Sequence, residues 1–228
     1  MKITDMMIKK GEPFIELIYK DDFIQKMISG DLDKEAVTHY LKADSVYLAK
    51  FSDIYAILIA KVKDTNQKKF FLSQIDFILN QEVSAHYILA EYVGKDYHDI
   101  IKNADWYPSS DHYIKHMFYQ IHQESIAHIL AAMGPCPWIY KQVAQKILNQ
   151  ENISDNNPFK KWIAFYGSDA MDSCIDYYFD IINAYAEKMT EVEQKQLVRV
   201  FLESCQHERQ FFQMSVDQED WYKEVKNV

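Results

Sequence analysis

Apolar residues recur at helical spacing along almost the whole chain, and no stretch sustains two-residue alternation. A chain patterned this way buries one stripe of each helix against other helices, and it has no alternating face from which to build a sheet. Only 5 Gly and 5 Pro occur among 228 residues, too few for the tight turns of an all-β fold or for flexible linkers. Hydrophobic residues make up 48%, enough to fill a real core. No internal repeat, low-complexity stretch or charge block divides the chain, and the polar run at 152–157 is too short for an interdomain linker. Residues 1–228 therefore read as a single domain, an all-α helical bundle.

Helix punctuation agrees with the periodicity. Asp33 is placed to cap a long helix from Lys34 to about Asp64, and Thr65 to cap the next, which stops at Gly94. Asn157 followed by Pro158 reads as a cap with proline in the first turn. Thr190 with Glu193 forms a capping-box pattern for a helix through about Met214, and Asp217 is placed to start a short last helix. Further helices are expected over about 5–29, 109–122, 124–133, 135–150 and 169–188.

The formal net charge is -9 and no Lys/Arg run offsets it, which argues against a nucleic-acid partner. No apolar run is long enough to span a bilayer, and the first residues do not resemble a signal peptide. Three cysteines, Cys136, Cys174 and Cys205, cannot all pair within one chain, and no two have C-x-x-C spacing. A cytoplasmic protein with a thiol free for chemistry is the expectation.

The informative positions are those where the helical pattern is broken. Asp44 falls in the stripe Val37, Tyr40, Leu41, Tyr47, Leu48, Phe51. A carboxylate there needs partners, either a structural hydrogen bond to a neighbouring helix or the donors of a ligand. Glu208 shares a face with Phe201, Cys205, Phe211 and Phe212, a setting that raises a carboxyl pKa towards the range useful for acid/base catalysis. Glu203, His207 and Gln210 continue the opposite, polar face and read as solvated. In Gly134-Pro135-Cys136-Pro137 the cysteine falls at an expected helix N-terminus, where the dipole favours the thiolate. An inert buried cysteine is the alternative. Tyr47, Tyr113, Tyr140 and Tyr166 carry hydroxyls that need partners if buried, and aromatic walls with a few polar groups suit a flat heteroaromatic ligand.

These residues carry a resemblance to the TenA (thiaminase II) family, which has the heme-oxygenase-like helical bundle fold. Five blocks match it in order: Phe23-Ile24-Gln25 with Gly30-Asp31-Leu32 and Tyr40 to Leu48; His112 to Met117; Pro135 to Tyr140; Lys161 to Gly167; and Glu208 to Phe212. The resemblance implies that Cys136 is the nucleophile, Glu208 the acid/base and Asp44 the carboxylate that holds a pyrimidine. It places Tyr47, Tyr113, Tyr140 and Tyr166 along the pocket. It further implies hydrolysis of 4-amino-5-aminomethyl-2-methylpyrimidine to hydroxymethylpyrimidine, cleavage of thiamin, a role in thiamin salvage, no cofactor and a homotetramer. Phe212 and Pro137 depart from the residues common at those positions and bear on pocket shape.

Two other classes compete. Glu82/His86, Glu124/His128 and Glu203/His207 have Glu-x-x-x-His spacing, whereas ferritin-like di-metal sites use Glu-x-x-His, so no metal is expected. Glu82/His86 lies in an apolar stripe with Ile75, Ile78, Leu79 and Leu89 and reads as a structural pair. A non-catalytic pyrimidine-binding protein would use the same aromatic pocket but has no need of a nucleophile beside a buried acid.

Overall fold

The computed structural model describes residues 2–102, 104, 106–123 and 125–223. Among them the chain forms α1 (Ile3–Lys20), α2 (Asp22–Ser29), α3 (Lys34–Lys61), α4 (Thr65–Phe77), α5 (Val83–Val93), α6 (Tyr97–Ile101), α7 (Pro108–Gln120), α8 (Ile126–Met133), α9 (Pro135–Gln150), α10 (Lys160–Gly167), α11 (Asp172–Ala186) and α12 (Glu191–Val216). The all-α expectation holds.

The bundle is organised on α12, which packs against α1, α2, α3, α7, α8 and α9. Its start follows the capping-box pattern: the Thr190 N–H donates to Glu193 Oε2 at 2.7 Å, and the Glu193 N–H to Thr190 Oγ1 at 3.4 Å. Its buried residues include Leu197, Phe201, Cys205, Phe211 and Phe212, and they carry Glu208 inward with them. Gly94 ends α5 with φ +83°, a left-handed conformation that glycine adopts without a Cβ clash.

Several boundaries differ from the sequence reading, each for a local reason. The helix expected over 5–29 breaks at Asp21 (ψ 151°), whose carboxylate takes a two-pronged ion pair from Arg209 of α12 at 2.7 and 2.8 Å. The long helix stops at Lys61, and Asp64 rather than Thr65 caps the next, accepting from the Gln67 N–H at 2.9 Å. Asn157 does not begin a helix at Pro158. Its amide ties the loop to the end of α2 by donating to the carbonyls of Met27 (3.1 Å) and Ile28 (2.8 Å), and α10 starts at Lys160. Asp217 closes α12 instead of opening another helix, and the described residues after it form turns. The short α6 was not expected; Asp96 caps it through the His98 N–H at 2.8 Å.

The most consequential difference lies between α4 and α5. The stretch expected as one helix is interrupted by a π turn, Ile78–Glu82. Leu79 within that turn, expected inside, is 62% exposed, while Glu82 at the turn's end is buried. Thr190→Ala is expected to lower unfolding free energy by about 1 kcal/mol, read as a lower urea midpoint with unchanged m-value.

Candidate active site

Cys136 is the second residue of α9, but it does not occupy a free helix end. Gly134 keeps helical dihedrals (φ −59°, ψ −36°), its N–H donates to the Leu130 carbonyl at 2.8 Å, and its own carbonyl accepts from Trp138 at 3.3 Å. α8 thus runs into α9 through a proline joint, and the negative end of α8 meets the positive end of α9. The expected dipole assistance to the thiolate is therefore not available. Burial pushes the Cys136 thiol up, and the carboxyl groups of Glu208 and Glu82 push it further in the same direction. The thiolate needs a base.

Glu208 is the acid beside it. It is 2% exposed and accepts a hydrogen bond from the Tyr113 hydroxyl at 2.7 Å. Burial raises its pKa to about 8, against the opposing effect of Tyr113, the Cys136 thiol and the Tyr47 hydroxyl, all of which reach its carboxyl. The sequence expectation of a raised acid at this position matches the geometry.

Asp44 sits on the buried face of α3, and its Oδ2 is 2.6 Å from His86 Nε2 of α5. The His86 Nδ1 lies 2.9 Å from the Tyr97 hydroxyl. The structural hydrogen bond to a neighbouring helix is therefore present, and the second carboxylate oxygen takes none among the described residues. His86 pairs with Asp44, not with Glu82, which corrects the local pair read from the Glu-x-x-x-His spacing.

The four tyrosines divide into two sets. Tyr47 and Tyr113 pack 5.3 Å apart on the Glu208 side, and the Tyr47 hydroxyl also lies 3.9 Å from Met117 Sδ. Tyr140 and Tyr166 pack 4.8 Å apart on the far side; Tyr140 shares a 2.7 Å hydrogen bond with Tyr40, a residue not singled out from the sequence for this role. Phe212 closes one wall, 5.2 Å from the Tyr140 ring.

A small cavity of about 30 Å³ opens between these groups. Cys136, Tyr140, Tyr166 and Pro137 line it, together with Glu82 and Cys174; Asp44, Tyr47, Tyr113 and Glu208 pack behind its walls. That volume is about one water molecule's worth, so an aromatic ring enters only if side chains move. Wider clefts of about 440 Å³ beside Gln210 and Trp221, and 320 Å³ beside His39, hold no cysteine and lie on the surface. The smaller cavity is the candidate because it alone of these three has a thiol in its wall.

Two polar side chains were misread from the sequence. Glu82 is 9% exposed, and its Oε1 accepts from the Tyr166 hydroxyl at 3.3 Å. Burial and then the Asp44 charge raise it to about 7. The clue was its place in an apolar stripe. His207, read as solvated, is buried among His112, His116 and Tyr113, with its ring stacked on Tyr113 at 5.2 Å. That burial holds it at about 4, so it is neutral behind the site. Glu203 pairs with Arg199 at 2.7 Å, and Glu124 lies outside the described residues. Among the described residues no three His, Cys, Asp or Glu side chains gather in a metal-binding arrangement, and no helix is long and apolar enough to cross a membrane.

Residues 9–218 match the TENA/THI-4/PQQC family. The chain belongs to that family. A relative from Staphylococcus aureus (strain NCTC 8325 / PS 47), named aminopyrimidine aminohydrolase, is 45% identical over 222 residues, covering 97% of this chain and 96% of its own. A second, from strain USA300 and of the same name, is 44% identical with the same coverage. Among solved structures, a TenA homologue from P. horikoshii superposes with a TM-score of 0.79 at 20% identity, covering 94% of this chain and 98% of that one. A TenA homologue from Pyrococcus furiosus gives 0.79 at 20% identity, with 93% and 99% covered. At that identity the TenA structures establish the shared helical bundle and no more.

The raised acids carry a cost that this TENA/THI-4/PQQC site makes measurable. A carboxyl raised from its ordinary 4.5 to about 8 binds a proton in the folded state that the unfolded chain has released. Its contribution to stability is complete below about pH 4.5 and is lost as pH rises through about 8. Glu208→Gln is expected to unfold at higher denaturant than the parent at pH 8, by on the order of 1–3 kcal/mol, with the gap closing at pH 5.

Proposed function

We propose that this chain is an aminopyrimidine aminohydrolase that replaces the amine of 4-amino-5-aminomethyl-2-methylpyrimidine with water, giving hydroxymethylpyrimidine, with thiamin as a second substrate. The observation that carries the reading is the Cys136 thiol in the cavity wall with the Glu208 carboxyl against it. The name shared by the S. aureus relatives supports it.

Asp44, held by His86, presents its second oxygen to the amino group and ring nitrogen of the pyrimidine. Deprotonated Glu208 takes the Cys136 proton, which supplies the thiolate that the proline joint does not. The thiolate adds to the unsubstituted ring carbon of the ring-protonated pyrimidine held by Asp44, giving a neutral adduct. The 4-amino group then pushes electrons through the ring and the bond from the methylene to the ammonium nitrogen breaks; the ammonia released takes the proton that Glu208 had accepted and leaves as ammonium, so Glu208 is a carboxylate again. Glu208 next deprotonates a water, whose oxygen bonds to the exocyclic methylene. Loss of the ring proton and expulsion of the thiolate restore the aromatic ring and the enzyme. Tyr113 holds the Glu208 carboxyl in one orientation, and no metal or organic cofactor takes part.

The narrow cavity favours the smaller substrate, because thiamin requires more of the wall to open. In cells this activity serves salvage of degraded thiamin in the cytoplasm. A homotetramer fits the exposed apolar side chains of Leu72 and Leu79, 61% and 62% exposed on one side of the bundle, which association would cover.

The test is release of hydroxymethylpyrimidine from the aminopyrimidine and from thiamin by the parent protein and by Cys136→Ala. The parent is expected to turn over both, the aminopyrimidine with the higher kcat/KM, and the variant to lose at least about 10³-fold in kcat. Equal rates in parent and variant contradict the nucleophile. No release from either compound contradicts the hydrolase.

A further inference from the structure

Three buried carboxyl groups surround the cavity, and the mechanism above uses two. Asp44 is committed to His86, and Glu208 to Tyr113 and the thiol. Neither lines the open space. Glu82 does, alongside Cys136, Tyr140 and Tyr166.

Glu82 is the last residue of the π turn and is buried, while Leu79 within the same turn is exposed. Widened turns of this kind weaken the backbone hydrogen-bond ladder and recur where a side chain must be aimed. The Glu82 carboxyl group is undersupplied with donors: among the described residues its one side-chain hydrogen bond is the long 3.3 Å contact from Tyr166. A buried carboxylate with one weak donor is costly in the empty site and is relieved by a ligand that brings charge and N–H groups.

The proposed substrate brings both, since a primary aminomethyl arm is an ammonium at neutral pH, attached to the ring carbon next to the one the thiolate attacks. We propose that Glu82 is a substrate-binding residue that accepts hydrogen bonds from this cationic arm, so that the site selects pyrimidines with a positively charged 5-substituent over neutral ones. The inference rests on the aminohydrolase reading and deepens it. It divides the work among the carboxyl groups: Asp44 holds the ring, Glu82 the ammonium, and Glu208 serves the thiol and the water. The product carries a neutral hydroxymethyl group, so it loses the Glu82 contact and is released.

The groups facing Glu82 from each packed element are Tyr40, Asp44 and Tyr55 of α3, His86 of α5, Cys136 and Tyr140 of α9, Tyr166 of α10 and Cys174 of α11. Asp44 is the only other carboxyl group among them, and it has His86 as its partner. Ionised Glu82 therefore remains free to meet the ammonium.

The experiment measures affinity by calorimetry in the Cys136→Ala background, where no turnover occurs, for the aminomethyl compound and for hydroxymethylpyrimidine. Glu82→Gln, added to that background, is expected to weaken the aminomethyl compound by about tenfold or more while hydroxymethylpyrimidine changes less than about threefold. Glu82→Asp, which keeps the charge, is expected to recover part of the loss. In the unsubstituted Glu82 background, the preference for the cationic ligand is expected to fall as pH drops from 8 to 6 and Glu82 takes up its proton. This arm reads the role even if Glu82→Gln folds poorly. Equal weakening of both ligands, or of neither, overturns the Glu82 assignment and leaves the aminohydrolase reading standing. Failure of both ligands to bind Cys136→Ala overturns both.

Discussion

Placing carboxyl groups inside an apolar helical bundle is the constraint on which the rest of this structure depends. Water solvates an ionised carboxylate far better than a protein interior does, so each buried acid either finds donors or keeps its proton. Asp44 finds a histidine at 2.6 Å. Glu208 finds Tyr113 and still rises to about 8, and Glu82, with one long contact, rises to about 7. The result is a set of groups able to give and take protons near neutrality beside the Cys136 thiol.

The backbone serves that arrangement at two irregular places. The proline joint between α8 and α9 presents Cys136 to the cavity without giving it a free helix end. The π turn between α4 and α5 ends at Glu82, in the wall of the same cavity, and Leu79 within it is exposed. Around them, α12 supplies both Glu208 and the aromatic wall of Phe211 and Phe212. A kink, a widened turn and one straight helix together fix the site.

What could be read from the sequence follows from how local each signal is. The capping box at Thr190 and the stop at Gly94 depend on a few neighbouring residues, and both stand in the structure. The break at Asp21 depends on Arg209, 188 positions away, and no local rule sees it. Asp44 and Glu208 were visible as breaks in an otherwise apolar stripe. Glu82 was visible in the same way but was assigned to His86, because helical spacing makes those two neighbours, whereas His86 takes Asp44, 42 positions away on α3, as its partner. His207 was misread because its burial comes from α7, through His112, His116 and Tyr113, and not from its own helix. The family blocks contain Asp44, Cys136 and Glu208, and none of them includes Glu82.

The central claim is that burial keeps these acids protonated near neutral pH, and the direct measurement is a ¹³C NMR titration of protein labelled at the glutamate carboxyl carbon. Two resonances are predicted to titrate near pH 7 and pH 8, the first absent from Glu82→Gln and the second from Glu208→Gln. If every glutamate resonance instead titrates near its ordinary value of about 4.5, the acids are ionised throughout the working range and this account of the site is wrong.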